Sequence, residues 1–369
     1  VVADGVGAPW ELLRDQVETV RHRGEACEVF VGWCLSDGLK WLEASPDVTV
    51  RSFMGGNGSR HLATSPHFNY VPVRFSHLPR ALTTWLQPYT LLMSALQRGS
   101  TWHLGTEAGW IPAAIENASQ VIVRPNPKLP ATTSLGNIDL GPRMSIDEGP
   151  TAPPEVISSP VVDDVSRAIA ERIVALLPDN AAIQYGPGPI GAACVELLYR
   201  PTRIRSGIVS DAVVEAARRG VVTGTPVGSY AVGTASFYAE IADRGWVDRV
   251  ERTHDHRSLS DDTFFALNTA LEIDLSGQVN VENIRGTTVA GLGGHADFAF
   301  SAASSRHGLS IVALPSRRGS TPTLVEKLTE NVTTQRSDID VVVNENGMVD
   351  LRGLSDRERA RSLSRLWNL

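Results

Sequence analysis

The sequence predicts an α/β protein built from two three-layer α/β domains packed face to face around a cleft. Three observations carry this expectation. A length of 369 residues with 42% hydrophobic content supplies enough apolar surface for two cores. In each half, amphipathic helical segments alternate with short β-branched runs, the pattern of a buried parallel sheet. Residues 141–160, GPRMSIDEGPTAPPEVISSP, hold five prolines and no amphipathic period. They read as an extended linker between a domain at 1–140 and another at 161–369.

In the first domain, Pro9 precedes ELLRDQVETV, where Leu12, Leu13, Val17 and Val20 share one helix face. The runs VTV at 48–50 and VIV at 121–123 read as buried strands, with PAAIENASQ as a helix crossing over to the second. Beyond the linker, VVDDVSRAIAERIVALL has helical periodicity, and Asp163 and Asp164 stand at its N-terminus, where the dipole favours them. AAIQYGPGPIGAACVELL then runs strand, Gly/Pro turn, helix. No fixed-period repeat is evident.

The balance of 34 basic and 41 acidic residues, a net charge of −7, argues against a nucleic-acid partner. Aromatic residues make up only 6% and are not interleaved with Arg or Lys, so stacking on single strands is a poor reading. No apolar run approaches the ~20 residues of a bilayer crossing, and no membrane partner is expected. VVADGVGAPWELL lacks the layout of a signal peptide. Cys27, Cys34 and Cys194 show no zinc-ligand spacing and read as reduced thiols of a cytoplasmic protein, with no metal.

Two glycine turns can carry chemistry. In Gln184-Tyr185-Gly186-Pro187-Gly188-Pro189-Ile190-Gly191, glycines between a strand and a helix let a ligand approach the backbone; the other reading is a plain tight turn. Gly291-Leu292-Gly293-Gly294-His295-Ala296-Asp297-Phe298 places three glycines ahead of an imidazole. Consecutive amides there can hold a developing oxyanion, and His295 can move a proton; otherwise this is a turn with a surface histidine. His254 and His256, in THDHRS, read as a polar turn without further metal ligands. His103 and Glu107 would share a face only in a helix, and the glycine between them favours a loop. No GxSxG elbow occurs.

The longer blocks resemble the acetyl-CoA hydrolase/transferase family. ALNTALEIDLSGQVNVENIRG (266–286) followed by GLGGHADF (291–298) is similar to the family's C-terminal signature. The likeness runs on through SIVALPS (310–316), VTTQRSDID (332–340), VVVNENGMVDLRG (341–353) and DRERARSL (356–363). YVPV (70–73), the HLGTE segment and VRPNPKLP (123–130) fall in family order in the first half. The resemblance implies a class I CoA-transferase-like fold, similar to 4-hydroxybutyrate CoA-transferases, in which two related domains bind acyl-CoA between them. It further implies coenzyme A as part of the substrate, no tightly bound cofactor, a small carboxylate as second substrate, and a homodimer. On the same ground Gln184, Gly186, Gly188, Gly207, Asn268, Gly291 and Asp297 are expected to bind substrate or CoA.

One position departs from the family. Its members carry a catalytic glutamate in a strand-end motif, Ile-His-Thr-Glu-Met-Ile-Ser-Asp-Gly, and the matching stretch Ile204–Ala212 has Gly207 in the glutamate's place. That glutamate attacks the thioester in a ping-pong transferase, and glycine offers no nucleophile. The family's Gly-Gly-Gln glutamine is His295 here, either a gained base or a substitute for a structural amide. The expectation is glutamate-independent hydrolysis of an acyl-CoA, at the thioester or at a carbon–carbon bond. His295 would be the general base, and Gly293 and Gly294 would hold the oxyanion. Two alternatives stand beside it: a CoA-transferase moving CoA between an acyl-CoA and a carboxylate, and a non-catalytic acyl-CoA-binding or regulatory homologue. Asp211, Glu282, Asp297 and Glu345 are the carboxylates in matched motifs that could replace the glutamate, Glu345 reading as structural. The loop at 52–70, with Asn57, Arg60, His61 and His67, either contacts the acyl chain or faces solvent.

Overall fold

Residues 1–4, too short to show any period, join two parallel strand sets through backbone hydrogen bonds. The computed structural model describes residues 1–369, the Asn57 side chain excepted. The chain divides into two units: unit 1 is Val1–Ile157, Ser229–Glu251 and Thr287–Gly293, and unit 2 is Ser158–Gly228, Arg252–Gly286 and Gly294–Leu369. Parallel sheets with helical crossovers make each an α/β unit, as the alternating pattern predicts.

In unit 1, β1 (Cys27–Val31), β2 (Val48–Ser52) and β3 (Phe68–Tyr70) pair in parallel in that order. A second parallel set is β4 (Thr90–Arg98), β5 (Gln120–Pro125) and β6 (Met144–Ile146). Residues 1–4 bridge the two sets, Val2 N–H donating to Phe30 O at 3.0 Å and Ala3 N–H to Leu92 O at 2.9 Å. The crossover α1 (Trp10–His22) buries Leu12, Leu13 and Val17 as its periodicity requires, and α2 (Ile111–Asn117) leads into β5. Strand β6 comes from the proline-rich stretch and pairs only with β5, an edge position that proline-rich sequence tolerates. Arg124 pins the segment beyond β6 to α1, donating to Asp147 at 2.7 Å and to Asp15 at 2.8 Å.

The chain turns away from residues 1–4 to β1 on one side and returns at β4 on the other, so the loop from Asp4 to Gly7 lies at a switch point of the sheet. Two carboxyls are buried there. Asp4 accepts from Trp33 N–H at 2.7 Å, Trp110 Nε1 at 3.1 Å and the Tyr230 hydroxyl at 3.0 Å. Glu107 accepts from the Thr106 hydroxyl and closes on Gly7, where a Cβ would stand 2.5 Å from its Oε1. Burial raises the Asp4 carboxyl to about 6 and the Glu107 carboxyl to about 8.

Unit 2 is a six-stranded sheet. Its strands are β7 (Ala181–Tyr185), β8 (Thr202–Ile204), β9 (Phe264–Thr269), β10 (Leu309–Ala313), β11 (Val341–Asn344) and β12 (Gly347–Asp350). The order is β12-β11-β10-β9-β7-β8, parallel except for the hairpin partner β12 at one edge. Crossovers α3 (Asp164–Ala175), α4 (Pro189–Glu196), α5 (Asp211–Arg218) and α6 (His295–Ser304) are set by local signals. Asp163 caps α3, accepting from Ser166 N–H at 2.7 Å, and Pro189 opens α4 where a missing N–H costs nothing. On one face of the sheet, Ala182, Phe264 and Ala266 pack against Phe298 and Ala302 of α6. Gln184 and Asn268 follow Ala182 and Ala266 by two residues and so share that face at its carboxyl end.

Among the described residues no helix is long and apolar enough to cross a membrane, and no group of three His, Cys, Asp or Glu is placed to hold a metal. Glu107→Gln copies the neutral acid and tests the buried carboxyls. A raised folded pKa means Glu107 supports folding fully below its unfolded value of 4.5 and progressively less as pH climbs through about 8. Wild-type melting temperature should therefore fall from pH 6 to pH 9, and the Gln variant should fall distinctly less. Equal slopes in thermal denaturation would place Glu107 in contact with solvent.

Candidate functional site

Ligands of open parallel sheets bind beyond the carboxyl ends of the strands, and in unit 2 those ends carry the expected residues. The turn after β7 brings Gly186 and Gly188. A Cβ on Gly186 would meet only Thr269 Oγ1, at 3.9 Å, and one on Gly188 would meet nothing within 4 Å. Neither has a positive φ. Gly191 differs: a Cβ there would strike Gly186 O at 2.1 Å, so its glycine serves helix packing. The first two glycines thus leave open backbone for a ligand. Gln184, just before them, is buried with Oε1 meeting no partner among the described residues.

Gly207 follows β8. Its φ lies outside the left-handed region, and a Cβ would find Phe298 Cε2 at 3.5 Å and the His254 Cε1 and Nε2 atoms at 3.9 Å. Glycine is therefore demanded here neither by backbone conformation nor by crowding. Gly294 is the opposite case. It is the N-cap of α6, and a Cβ would come 2.4 Å from His254 Nε2 and 2.8 Å from Phe298 Cε2.

His295 begins α6. Its Nδ1 pairs with the Thr334 hydroxyl at 2.8 Å, and its backbone carbonyl accepts from Asn268 Nδ2 at 3.3 Å. The residue is half-buried, yet Nε2 is sealed from solvent and meets no partner among the described residues. Burial lowers the imidazole to about 4, the Thr269 backbone opposing that shift. His295 is accordingly neutral at physiological pH. Asp297 is buried in the first turn of α6, where the dipole favours a carboxylate.

The remaining glycines of this motif belong to unit 1. Gly291 presses on Met54, whose Sδ would be 2.6 Å from a Cβ, and Gly293 takes φ +52° while its carbonyl accepts from Phe75 N–H at 3.1 Å. No acceptor among the described residues meets the N–H of Gly293 or Gly294. The loop at 52–70 forms a short 3₁₀ helix, Asn57–Leu62, and then β3; Arg60 is exposed, His61 and His67 half-buried, and the Asn57 side chain lies outside the described residues. Of the substitute carboxylates, Glu345 is taken up by the Ser316 hydroxyl and N–H, and Glu282 accepts from Thr333 at 2.7 Å.

His254 corrects the sequence reading. It is not in a solvated turn but is 5% exposed, its ring tilted against Phe298 with centroids 4.4 Å apart and Nδ1 against the Thr253 hydroxyl at 2.8 Å. Nothing local announces this, because the covering groups lie some forty residues downstream. The two glycines beside it make a contrasting pair of tests. Gly294→Ala should destabilise by about 1–3 kcal/mol, since the imidazole it strikes has no room to retreat. Gly207→Ala should be neutral or slightly stabilising. Urea denaturation of both variants checks this, and equal midpoints would contradict the packing.

Residues 233–366 match the family model of the acetyl-CoA hydrolase/transferase C-terminal domain. A 4-hydroxybutyrate coenzyme A transferase of Clostridium kluyveri is 28% identical over 333 residues, covering 84% of this chain and 77% of that protein. An acetyl-CoA hydrolase of Eremothecium gossypii is 26% identical, over 98% of this chain and 81% of that one. Among solved structures, RipA from Yersinia pestis superposes with a TM-score of 0.86 at 24% identity, over 98% of this chain and 89% of that one. The 4-hydroxybutyrate CoA-transferase of Porphyromonas gingivalis gives 0.75 at 21%, over 97% and 95%. These structural likenesses establish the CoA-transferase-type fold. Residues 233–366 are thus an acetyl-CoA hydrolase/transferase C-terminal domain, in a chain homologous over most of its length to CoA-transferases and acetyl-CoA hydrolases.

Proposed function

We propose that the chain binds an acyl-CoA at the carboxyl edge of the unit 2 sheet and hydrolyses it without a glutamyl intermediate. The observation that carries the reading is the buried Nε2 of a neutral His295 at the start of α6, which meets no hydrogen-bond partner, in the same unit as the open glycines Gly186 and Gly188. Water placed at Nε2 gives its proton to the imidazole as its oxygen bonds to the thioester carbon. The amides of Gly293 and Gly294 meet the oxyanion. Collapse breaks the C–S bond, and the departing thiolate takes the proton back, leaving a carboxylic acid and free CoA. A weakly basic imidazole returns its proton readily, which suits the second half of this cycle. A cavity of about 360 Å³ in the same unit has Arg203, Arg205 and Arg252 in its wall; Asp262 pairs with Arg203 at 2.6 Å and with Arg205 at 3.6 Å, so a CoA phosphate there would share those two guanidiniums with a carboxylate. The reading carries a cytoplasmic homodimer, with CoA as substrate and no tightly bound cofactor.

A second reading, transfer of CoA to a small carboxylate, is favoured by the relatives named as CoA-transferases. It needs a carboxylate nucleophile from the second substrate, because Gly207 supplies none. Borohydride trapping with acyl-CoA and mass spectrometry separates the two: hydrolysis leaves no residue of the chain labelled.

His295→Ala should lower kcat by about 10²–10⁴-fold, the usual share of a general base, while acyl-CoA binding changes little. The free-enzyme pH profile should be flat from pH 6 to 8 and decline only as pH falls towards about 4, where His295 gains its proton. A kcat/KM midpoint near 6.5 would point to a different, solvated base.

A further inference from the structure

Strand β8 does not end in a bare edge. Val222 and Val227 bridge to it at Thr202 and Arg205, Thr223 N–H donating to Thr202 O at 2.8 Å and Val227 N–H to Ile204 O at 3.0 Å. The chain takes five steps from Val222 to Val227 against three from Thr202 to Arg205, so Thr223-Gly224-Thr225-Pro226 bulges out of the ladder. This bulge walls the cavity of about 360 Å³, a volume within the range of small-molecule sites. Gly224 takes φ +70°, and a Cβ on it would meet nothing within 4 Å. No acceptor among the described residues meets the N–H of Gly224 or Thr225. Successive open amides at such a turn make an anion-binding concavity. Beside them, Thr223 Oγ1 is sealed from solvent and has no hydrogen-bond partner.

The rest of the wall is cationic. Along this extended run Thr202, Ile204 and Ser206 are buried on one face, and Arg203 and Arg205 leave on the other. Their charges are answered unequally. Arg203 forks onto Asp262 with two bonds of 2.6 Å. Arg205 stands 3.6 Å from the same carboxylate and donates instead to neutral groups, the Ser258 carbonyl at 3.0 Å and the Ser258 hydroxyl at 2.9 Å. Burial outweighs Asp262 and leaves the Arg205 guanidinium below its usual range. Arg252 adds a third positive side chain to the wall. Bracing Asp262 accounts for Arg203. It does not account for the second guanidinium, the open amides or the sealed hydroxyl.

We propose that this cavity is a binding site for a phosphomonoester dianion, held by Arg205, the Thr223 hydroxyl and the amides of Gly224 and Thr225. Guanidinium, hydroxyl and backbone N–H are all donors, and a phosphate brings three strong acceptor oxygens to meet them. The Ser258 hydroxyl accepts from Arg205 and keeps its own proton for a fourth contact. The site goes beyond the acyl-CoA reading and needs no chemistry at His295. Its phosphate has two sources, the 3′-phosphate of CoA or a separate phosphate ester, and the two differ in what they compete with.

The first probe is inorganic phosphate, titrated by calorimetry against chloride at matched ionic strength. Wild-type protein should show one saturable site. Arg205→Gln should weaken it about 10–100-fold, the loss of a charge-assisted partner, and Thr223→Val about 3–10-fold, the loss of a neutral one. The Thr223 hydroxyl has no partner to lose, so the Val variant remains readable if Arg205→Gln fails to fold. Arg98→Gln, at a surface pair with Asp243 in unit 1, should bind phosphate as the wild type does. The second arm compares acetyl-CoA with its 3′-dephospho form. A preference of about tenfold or more for the phosphorylated form, shrinking in both cavity variants, names CoA as the source. Equal binding of the two forms, with inorganic phosphate still held, names a separate ester. Wild-type protein with neither a saturable phosphate site nor a 3′-phosphate preference overturns the proposal, as do folded cavity variants that bind as tightly as the wild type.

Discussion

The imidazole of His254 rests directly against the backbone of Gly294, and the geometry of the unit 2 site depends on that contact. Because Gly294 is the N-cap of α6, the contact fixes where the helix begins and hence where His295 projects. Phe298, four residues on and on the same helix face, closes the other side of the ring. Thr253 sets the rotation of the imidazole about its own axis. One close approach thus orients two histidines and an aromatic ring relative to Gly207, at the end of a neighbouring strand. A side chain at position 294 would disturb all of them together.

Sequence patterns reach the fold further than the site. The strands at 48–50 and 121–123, the helix after Pro9 and the strand–turn–helix at 181–196 are written in local periodicity and capping, and they form as expected. The bridging role of residues 1–4 is illegible in the sequence because four residues carry no period, and only pairing with Phe30 and Leu92 defines it. The glycine motif is visible in the chain, but not the fact that its glycines answer to different constraints. Gly291 is dictated by Met54, Gly293 by a φ of +52°, and Gly294 by an imidazole. His254 sits among polar residues in the chain and among apolar ones in space. Burial is decided by residues distant in sequence, so composition cannot reveal it, and Glu107 is hidden for the same reason.

The two units bury ionisable groups of opposite kinds. In unit 1 the Asp4 and Glu107 carboxyls are pushed up by burial, so their neutral forms suit the fold and alkali works against it. In unit 2 the His254 and His295 imidazoles are pushed down, to about 3 and about 4. An unfolded chain takes up their protons below about 6.5, while the folded one resists to those lower values; acid therefore works against unit 2. Hydroxyls, amides and aromatic rings hold these groups, and such partners serve an uncharged acid or imidazole as well as a charged one. All four groups are uncharged in the folded protein together only between about pH 4 and about pH 6, where Asp4 begins to ionise.

That neutrality bears on the proposal that water, rather than a side-chain carboxylate, is the nucleophile. A glutamate anion at position 207 would meet no steric bar, since neither φ nor crowding forbids a side chain there. Its electrostatic surroundings are another matter. The groups nearest a Cβ there are the edge of Phe298 and an imidazole that burial keeps uncharged. Desolvation favours the protonated acid, which is a poor nucleophile. Water carries no charge to desolvate, and it needs only a lone pair to take its proton and a donor for the oxygen it attacks. In the proposed cycle the neutral imidazole of His295 supplies that lone pair, and the open backbone at Gly207 leaves room beside Phe298.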